Sequence, residues 1–364
     1  MGSSSDKDEN NEIIEGEISI KDKSFISTIL QVLFNINELH NYFNQNEFSK
    51  GQYLTNILKE LFKTRPSNII WDEESVKIIK LLTRKYQLQM EKTPGKELIQ
   101  ILMVLKYEEK GILLPNWEKK VINDSLLFNN IGYEKQALND ILDKNRTNFD
   151  TLLSNNFFGI LLTKRKFQNS NNIMHFYNFY CVYEMNLPAI YFNMVNKRKI
   201  MHDENNLPQI NLIDCIKEMQ ETKIQVFNNQ PCYTEYYMFN APNYLIFLLN
   251  DEDKNLNQFR GHILFQEFSD FSNVILNTQS NKFQLFAIIN SKRYNQKNQE
   301  KDGVKWFSDK NELEYNKQYK ALIRNGETNN FCYYDDKDEQ KKCNLEILDN
   351  NYFHHILIFK RINN

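Results

Sequence analysis

The sequence predicts an α+β protein in which helices come first and a largely antiparallel β region follows. Apolar residues recur with a period near 3.6 from Lys23 onward, and helical patterns continue at residues 52–62, 74–86, 96–107 and 133–145. After Leu152 the pattern changes to short runs of aromatic and branched residues, which favour strands. These runs are residues 157–163, 173–184, 244–249, 263–265, 283–290, 319–323, 330–334 and 354–359, and one helix, residues 211–220, interrupts them.

Composition excludes several classes of protein. The chain has 364 residues and a formal net charge of −2, so its charge gives no indication of a nucleic-acid partner. The apolar runs stop far short of the ~20 residues of a membrane helix, and the polar N-terminal residues lack a signal-peptide pattern. The 10 glycines are too widely spaced to form a phosphate-binding loop. We therefore expect no membrane association and no cofactor.

The cysteines and histidines do not form a metal-binding pattern. The 5 cysteines are odd in number and scattered, which is typical of free thiols in a reducing compartment, so we expect a cytoplasmic or nuclear protein. The sequence has no Cys-x-x-Cys and no His-Glu-x-x-His. His354 and His355 lie in a predicted strand, where neighbours face opposite sides. We interpret them as strand residues, and we predict no metal site.

Residues 21–31 carry the first of several family boxes. They read Lys-Asp-Lys-Ser-Phe-Ile-Ser-Thr-Ile-Leu-Gln. This segment resembles Gly-Asn-Thr-Cys-Phe-Met-Asn-Ser-x-Leu-Gln, the opening box of the ubiquitin-specific proteases, and it matches the box at Phe25, Leu30 and Gln31. In that family the cysteine is the nucleophile, and the asparagine before it helps to stabilise the oxyanion. Ser24 and Asp22 occupy these positions here.

Further boxes follow in the family's order. Residues 317–323, Lys-Gln-Tyr-Lys-Ala-Leu-Ile, stand where the family has Gly-His-Tyr-x-Ala-Tyr-Val. Gln318 thus replaces the catalytic histidine, whereas Asp335, in a segment similar to Trp-Tyr-x-Phe-Asp-Asp, keeps the acidic residue. The resemblance spans about residues 16–362, and its other boxes are residues 97–100, 158–161, 211–216, 241–248, 283–290 and 352–361.

The resemblance implies a papain-like cysteine-peptidase fold of the ubiquitin-specific protease type. After a disordered tail of residues 1–15, we expect a helical thumb at about 16–152, β fingers at about 153–240 and an antiparallel β palm at about 241–364. The family commonly holds a zinc ion at the fingertips with two Cys-x-x-Cys knuckles. Here the first location has no cysteine and the second keeps only Cys232.

The family's chemistry requires a thiolate activated by a histidine that an acidic residue orients. Ser24 lacks such a base, because the Gln318 amide cannot accept a proton at neutral pH. Asp22 places a negative charge where an oxyanion must be stabilised. Of the triad positions only Asp335 is retained, so we predict an inactive pseudoenzyme. We expect it to be a structural or protein-binding subunit of a larger complex.

Three alternatives remain open from the sequence. The chain can be a module that binds ubiquitin without cleaving it, a hydrolase that uses Ser24, or an unrelated α+β protein. Gly261-His262 imitates the family's Gly-His pair, but the segment after it lacks the expected continuation, so we interpret His262 as structural.

If catalysis is lost, we expect a partly closed cleft beside Ser24 and partner binding at exposed aromatic patches elsewhere. On the first helix we expect burial of Phe25, Ile29, Leu30 and Leu33.

Overall fold

A computed structural model describes most of the chain in segments. The described residues are 20–64, 69–88, 95–109, 129–130, 151–168, 173–197, 199–227, 229–251, 259–276, 281–292, 319–325, 330–334, 341–343 and 352–362. The predicted tail at 1–15 and the predicted helix at 133–145 lie outside them.

Helices dominate the first part of the described chain. None of the described helices has the length and apolarity that crossing a membrane requires. The helices are α1 (Ile20–Phe34), α2 (Asn37–Gln45), α3 (Tyr53–Lys63), α4 (Trp71–Lys80), which continues as a π-helical turn (Leu81–Lys85), α5 (Lys96–Glu109), α6 (Leu152–Phe157), α7 (Leu187–Asn196) and α8 (Leu212–Gln220).

The strands form three sheets. The large sheet has the order β15-β14-β13-β12-β16-β9-β4, with β11 also paired to β12; the five-stranded sheet has the order β1-β3-β2-β8-β7, and a small sheet has the order β10-β6-β5. The strands are β1 (Asn129–Asn130), β2 (Gly159–Phe167), β3 (Ile173–Tyr180), β4 (Tyr183–Asn186), β5 (Met201–His202), β6 (Pro208–Asn211), β7 (Lys223–Phe227), β8 (Gln230–Asn240), β9 (Tyr244–Asn250), β10 (His262–Leu264), β11 (Phe268–Asp270), β12 (Lys282–Lys292), β13 (Tyr319–Arg324), β14 (Phe331–Tyr334), β15 (Lys341–Cys343) and β16 (Tyr352–Arg361).

The large sheet is apolar on both faces. Along β9, Ile246 and Leu248 join the cluster that contains α1 to α5, whereas Phe247 and Leu249 join the cluster that contains α7 and α8. Successive side chains of a strand point to opposite faces, so a strand buried on both faces is apolar throughout. This requirement explains why the sequence of β9 is a nearly continuous apolar run.

The α+β class and its order, helices before strands, agree with the prediction, but several elements differ. The strand predicted at 173–184 is two strands, because Cys181 and Val182 interrupt it. The expectation that residues 211–220 form the one helix among the strands is wrong, since α7 precedes it. The Asn186 side chain accepts a hydrogen bond from Ala189 N–H at 3.0 Å and so caps α7. The α2 and α6 helices were also not predicted.

A polar contact ties α2 to the large sheet. The Tyr244 hydroxyl donates to Glu38 Oε2 at 2.7 Å, and Lys360 Nζ lies 2.8 Å from Glu38 Oε1. Partial burial acts to raise the pKa of the Glu38 carboxyl, but hydrogen bonds from Lys360 and Tyr244 outweigh burial and hold that pKa below its ordinary value. The ionised form of Glu38 is therefore the one that stabilises this junction.

We expect Glu38→Gln to change how stability depends on pH. A carboxyl whose folded pKa is lowered stabilises the fold above its unfolded pKa, and this contribution disappears as pH falls through the folded pKa. The variant should therefore be about 1 kcal/mol less stable at pH 7, and this deficit should shrink as the pH is lowered from 7 towards 3. Urea unfolding across this range measures the difference. Glu60→Gln is the control, because Glu60 is an exposed carboxyl on α3. A Glu38→Gln deficit that stays constant with pH contradicts the prediction.

Candidate functional site

The α1 helix carries the first candidate residue and is enclosed by its surroundings. Every residue from 24 to 34 is buried, including the four that the sequence predicted, Phe25, Ile29, Leu30 and Leu33. Helices α4 and α5 and strands β12 and β13 pack against it. An amphipathic helix at a surface would keep one polar face exposed. Polar side chains on the buried part of this helix lose their contact with water, so a hydrogen bond within the fold stabilises them.

The Ser24 hydroxyl is hydrogen-bonded to the start of β13. Its Oγ accepts a hydrogen bond from the backbone N–H of Tyr319 at 3.0 Å. One turn later, the Thr28 hydroxyl donates to the Ser24 carbonyl oxygen at 2.7 Å. Tyr319 directly follows Gln318 in sequence. The structure therefore brings the nucleophile position next to the strand that follows the histidine position, although they are almost 300 residues apart.

Aromatic rings surround this hydrogen bond. The Tyr319 ring meets the Phe25 ring edge to face, with centroids 4.8 Å apart, and lies 5.3 Å from the His355 ring. On its other side His355 Nε2 lies 2.8 Å from Ser291 Oγ. The Tyr319 and His355 side chains are both almost fully buried. The imidazole thus lies in a packed aromatic cluster and forms its hydrogen bond with a serine of the sheet.

The described residues cover only part of the predicted site. Gln318 and Asp335 lie outside them, and for Asp22 only the helical backbone is described. The proposed correspondence of Asp22, Gln318 and Asp335 with the family's oxyanion and triad positions therefore stays a prediction. The structure places Ser24 beside Tyr319, the residue after Gln318.

The space around Ser24 is closed to a large substrate. Ser24 is 3% exposed and Tyr319 is 1% exposed. Farther along α1, and not lined by Ser24, a separate cavity of about 10 Å³ lies between the helix and the large sheet and is lined entirely by apolar side chains, among them Ile29, Leu33 and Ile246. Such a volume is at the lower limit for a single water molecule. A peptide cannot reach the Ser24 hydroxyl without displacement of the surrounding side chains.

The other cysteines and histidines that could take part in chemistry lie in surroundings typical of structural residues. Burial raises the pKa of the Cys181 and Cys215 thiols to about 12, so both stay protonated and are poor nucleophiles. Cys232 is buried in β8 with its sulfur 3.5 Å from Thr234 Oγ1. Within the described segments, no cluster of at least three His, Cys, Asp or Glu side chains is arranged to hold a metal ion. His262 Nε2 lies 3.5 Å from Asp203 Oδ2, where it joins β10 to the turn before β6.

Sequence reasoning did not identify the partners of Ser24. The Tyr319 N–H is a main-chain group, so no side-chain pattern could reveal it. His355 was interpreted as a strand residue, and its position inside β16 agrees with this. Its contacts with Tyr319 and Ser291 depend on the register of β12 with β13 and β16, which places Ser291 opposite both Tyr319 and Phe353.

We expect Ser24→Ala to destabilise the fold by about 1–2 kcal/mol, because it leaves the buried Tyr319 N–H without its acceptor. Ser27→Ala on the same helix is the matched control. Ser27 is 1% exposed, and among the described residues its hydroxyl has no hydrogen-bond partner. Removing that hydroxyl should leave stability unchanged or raise it slightly. Urea unfolding of both variants gives the comparison, and equal losses contradict the assigned role of Ser24.

Comparisons with known proteins identify a similar fold. No protein-family model and no curated protein sequence matches the chain. Among solved structures, it is similar to the yeast SAGA DUB module with a mutant Sgf73, with a TM-score of 0.59 and 12% identity over 95% of this chain and 68% of that chain. A SAGA Ubp8/Sgf11/Sus1/Sgf73 DUB module gives a TM-score of 0.58 and 12% identity over the same shares.

A third similar structure is the same type of module with a shortened Sgf11. It gives a TM-score of 0.58 and 14% identity over 99% of this chain and 72% of that chain. The matched protein, Ubp8, is a ubiquitin-specific protease. At this level of identity the similarity concerns the fold alone. The chain therefore has a mixed helix and sheet fold that resembles ubiquitin-specific proteases, as the order of its sequence boxes predicted.

Proposed function

We propose that the chain is a catalytically inactive protein with a ubiquitin-specific-protease-like fold that acts as a structural or protein-binding subunit of a larger complex. The observation that carries this proposal is the state of Ser24. It occupies the nucleophile position, it is 3% exposed, and its hydroxyl accepts a hydrogen bond from Tyr319 N–H. A serine nucleophile needs an adjacent base and access to a carbonyl carbon.

The lost side chains support the same conclusion. Glutamine at position 318 cannot act as a base, and aspartate at position 22 opposes the charge of an oxyanion. Members of one catalytic unit depend on each other, so removal of any one of them eliminates most of the rate. Asp335 alone would orient nothing, because the histidine that it should hold is replaced by Gln318.

The similar structures support a role as a subunit. Each is a DUB module of the SAGA complex, and two of the three contain Ubp8 together with Sgf11, Sus1 and Sgf73. By analogy, α1 to α5 correspond to the thumb, the large sheet to the palm and the five-stranded sheet to the fingers. We keep the proposed boundaries of about 16–152, 241–364 and 153–240 for these parts, although β4 of the large sheet lies within 153–240. We also propose a cytoplasmic or nuclear location.

The similarity to DUB modules also favours one alternative, a module that binds ubiquitin but does not cleave it. The two functions differ in the surface that they need. A ubiquitin-binding module of this family requires an open channel for the ubiquitin tail between thumb and palm. The packing of Tyr319 against Phe25 and His355 leaves little room beside Ser24, so we propose the structural role first.

We expect the purified chain to release no fluorophore from ubiquitin labelled at its C-terminus. Ser24→Cys should be equally inactive, because no base activates the thiol and the position is almost fully buried. Continuous fluorescence measures release, and an active ubiquitin-specific protease serves as the positive control. Turnover by the native chain that Ser24→Ala abolishes would overturn the proposal.

Titration of isotope-labelled ubiquitin with the inactive chain separates the two roles. Shifts in ubiquitin resonances at micromolar concentrations, without release of fluorophore, would favour the ubiquitin-binding alternative. The double variant Ser24→Ala with Gln318→Ala should leave partner binding nearly unchanged if the cleft is only structural.

A further inference from the structure

An open groove of about 580 Å³ lies between helices α3 and α4. Helix α3 packs on α2 and α5, whereas α4 packs mainly on α1. The Phe34 ring of α1 lies 5.2 Å from the Phe62 ring of α3 and 5.7 Å from the Trp71 ring of α4, measured between centroids. All three rings are buried. Helix α1 thus separates the two helices on their buried sides, and the groove opens between their more exposed sides.

Each wall of the groove is one stripe of a helix. The α3 wall contains Ile57, Glu60, Leu61 and Thr64, and the α4 wall contains Ile70, Glu73, Glu74 and Lys77. Both sets follow the spacing i, i+3, i+4, i+7, which places side chains on one face over two helical turns. At 1.5 Å per residue, each wall is about 10 Å long. Because helices pack through stripes with this spacing, the groove has the form of a receptor for a third helix.

The apolar part of the groove includes an isoleucine that the stability of α4 does not explain. Leu61 and Ile69 are buried, but Ile70 is 59% exposed. Ile70 occupies the N-cap position of α4, and its side chain makes no capping hydrogen bond. Serine, threonine, aspartate and asparagine stabilise an N-cap, whereas isoleucine is among the poor residues there. An apolar ligand in the groove would give this side chain a contact.

The carboxylates of the groove favour a cationic ligand. Glu60 and Glu74 each form an ion pair with the lysine three residues later on the same helix, at 2.8 and 2.5 Å. Glu73 is exposed and forms no ion pair with a described residue. The next cation along this face, Lys80, lies about 10 Å farther along the axis of α4 and beyond the residues that line the groove. The negative charge is therefore localised at the Ile70 end, where it complements a cation.

We propose that the groove between α3 and α4 binds an amphipathic helix of a partner protein. The apolar face of that helix packs on Ile57, Leu61 and Ile70, and a basic residue at the edge of this face pairs with Glu73. This inference rests on the proposed function only for the expectation of a protein partner. The site itself is inferred from the spacing of the two walls, the exposed Ile70 at a cap position and the unpaired Glu73.

NMR of the full chain with labelled isoleucine methyl groups tests the site directly. The probe is a blocked peptide of about 14 residues with leucines at i, i+3, i+4 and i+7, lysines beside them and alanine elsewhere, titrated to about 1 mM. It should shift the methyl resonances of Ile57, Ile69 and Ile70. The methyl resonance of Ile224, which is 68% exposed on β7, should not move. Absence of shifts at the groove, or equal shifts at Ile224, would overturn the proposal.

Two further peptides test the shape and the charge of the ligand. A scrambled peptide of the same composition has no apolar face and should bind about tenfold more weakly. A peptide with glutamate in place of lysine keeps the apolar face and should bind about threefold more weakly at low salt. Equal affinity for the scrambled peptide contradicts a helix in the groove, and equal affinity for the glutamate peptide contradicts a basic ligand.

The variant Ile70→Ser separates binding from stability. Serine caps a helix better than isoleucine does, so the variant should unfold at a higher urea concentration than the native chain. It should nevertheless bind the lysine peptide about tenfold more weakly, because an apolar contact with the ligand is lost. Such a loss cannot result from unfolding. Unchanged affinity would overturn the proposal.

Two neighbouring carboxylates test the position of the charge. Glu73→Gln should weaken the lysine peptide about threefold at low salt. Asp72→Asn removes the same charge from the same turn of α4, but Asp72 does not line the groove, so its effect should be much smaller. Equal losses contradict a contact with Glu73. A native dimer that Ile70→Ser dissociates would show that a second copy occupies the groove, and would reject the proposed partner.

These outcomes are independent of the activity assay. Fluorophore release that depends on Ser24, together with peptide binding in the groove, would reject the inactive role and keep the binding site. An inactive chain that fails to bind the peptide would reject the site and keep the proposed function.

Discussion

The rest of the structure depends on the burial of α1 between the other helices and the large sheet. Because residues 24–34 of the helix are buried, its polar groups there are stabilised by partners within the fold. The Ser24 hydroxyl finds the Tyr319 N–H, and the Thr28 hydroxyl finds the Ser24 carbonyl. These bonds fix the helix against β13, and they join the first described element to a strand close to the end of the chain.

The same constraint determines what chemistry the site can perform. An acyl-transfer enzyme must leave its nucleophile at the surface of a cleft, with a base on one side and oxyanion donors on the other. Here the position is closed by Phe25, Tyr319 and His355, whose rings pack at centroid distances of 4.8 and 5.3 Å about Tyr319. The imidazole of His355 contributes to this packing and bonds to Ser291. This packing stabilises the junction of helix and sheet, and our proposal that the chain is inactive is based on it.

The sequence predicted those parts of the fold that follow from burial. Strands β9, β12 and β16 place apolar side chains on both faces of the large sheet, so their apolar runs identify them as strands from composition alone. The β7–β8 hairpin was not predicted, since Pro231 argues against a strand at that point. The structure shows why proline is tolerated, because its carbonyl faces Gln168 and its missing N–H faces no partner on β7. The partners of Ser24 could not be predicted, because they depend on main-chain register across almost the whole chain.

Main-chain N–H groups are in different environments at Tyr319 and at the edge strand β7. At Tyr319 the N–H is enclosed, and a buried donor without an acceptor would cost about 1–3 kcal/mol, so Ser24 is held in place by the need to satisfy it. At Ile224 and Val226 the outward N–H groups are open to solvent, where water satisfies them at little cost.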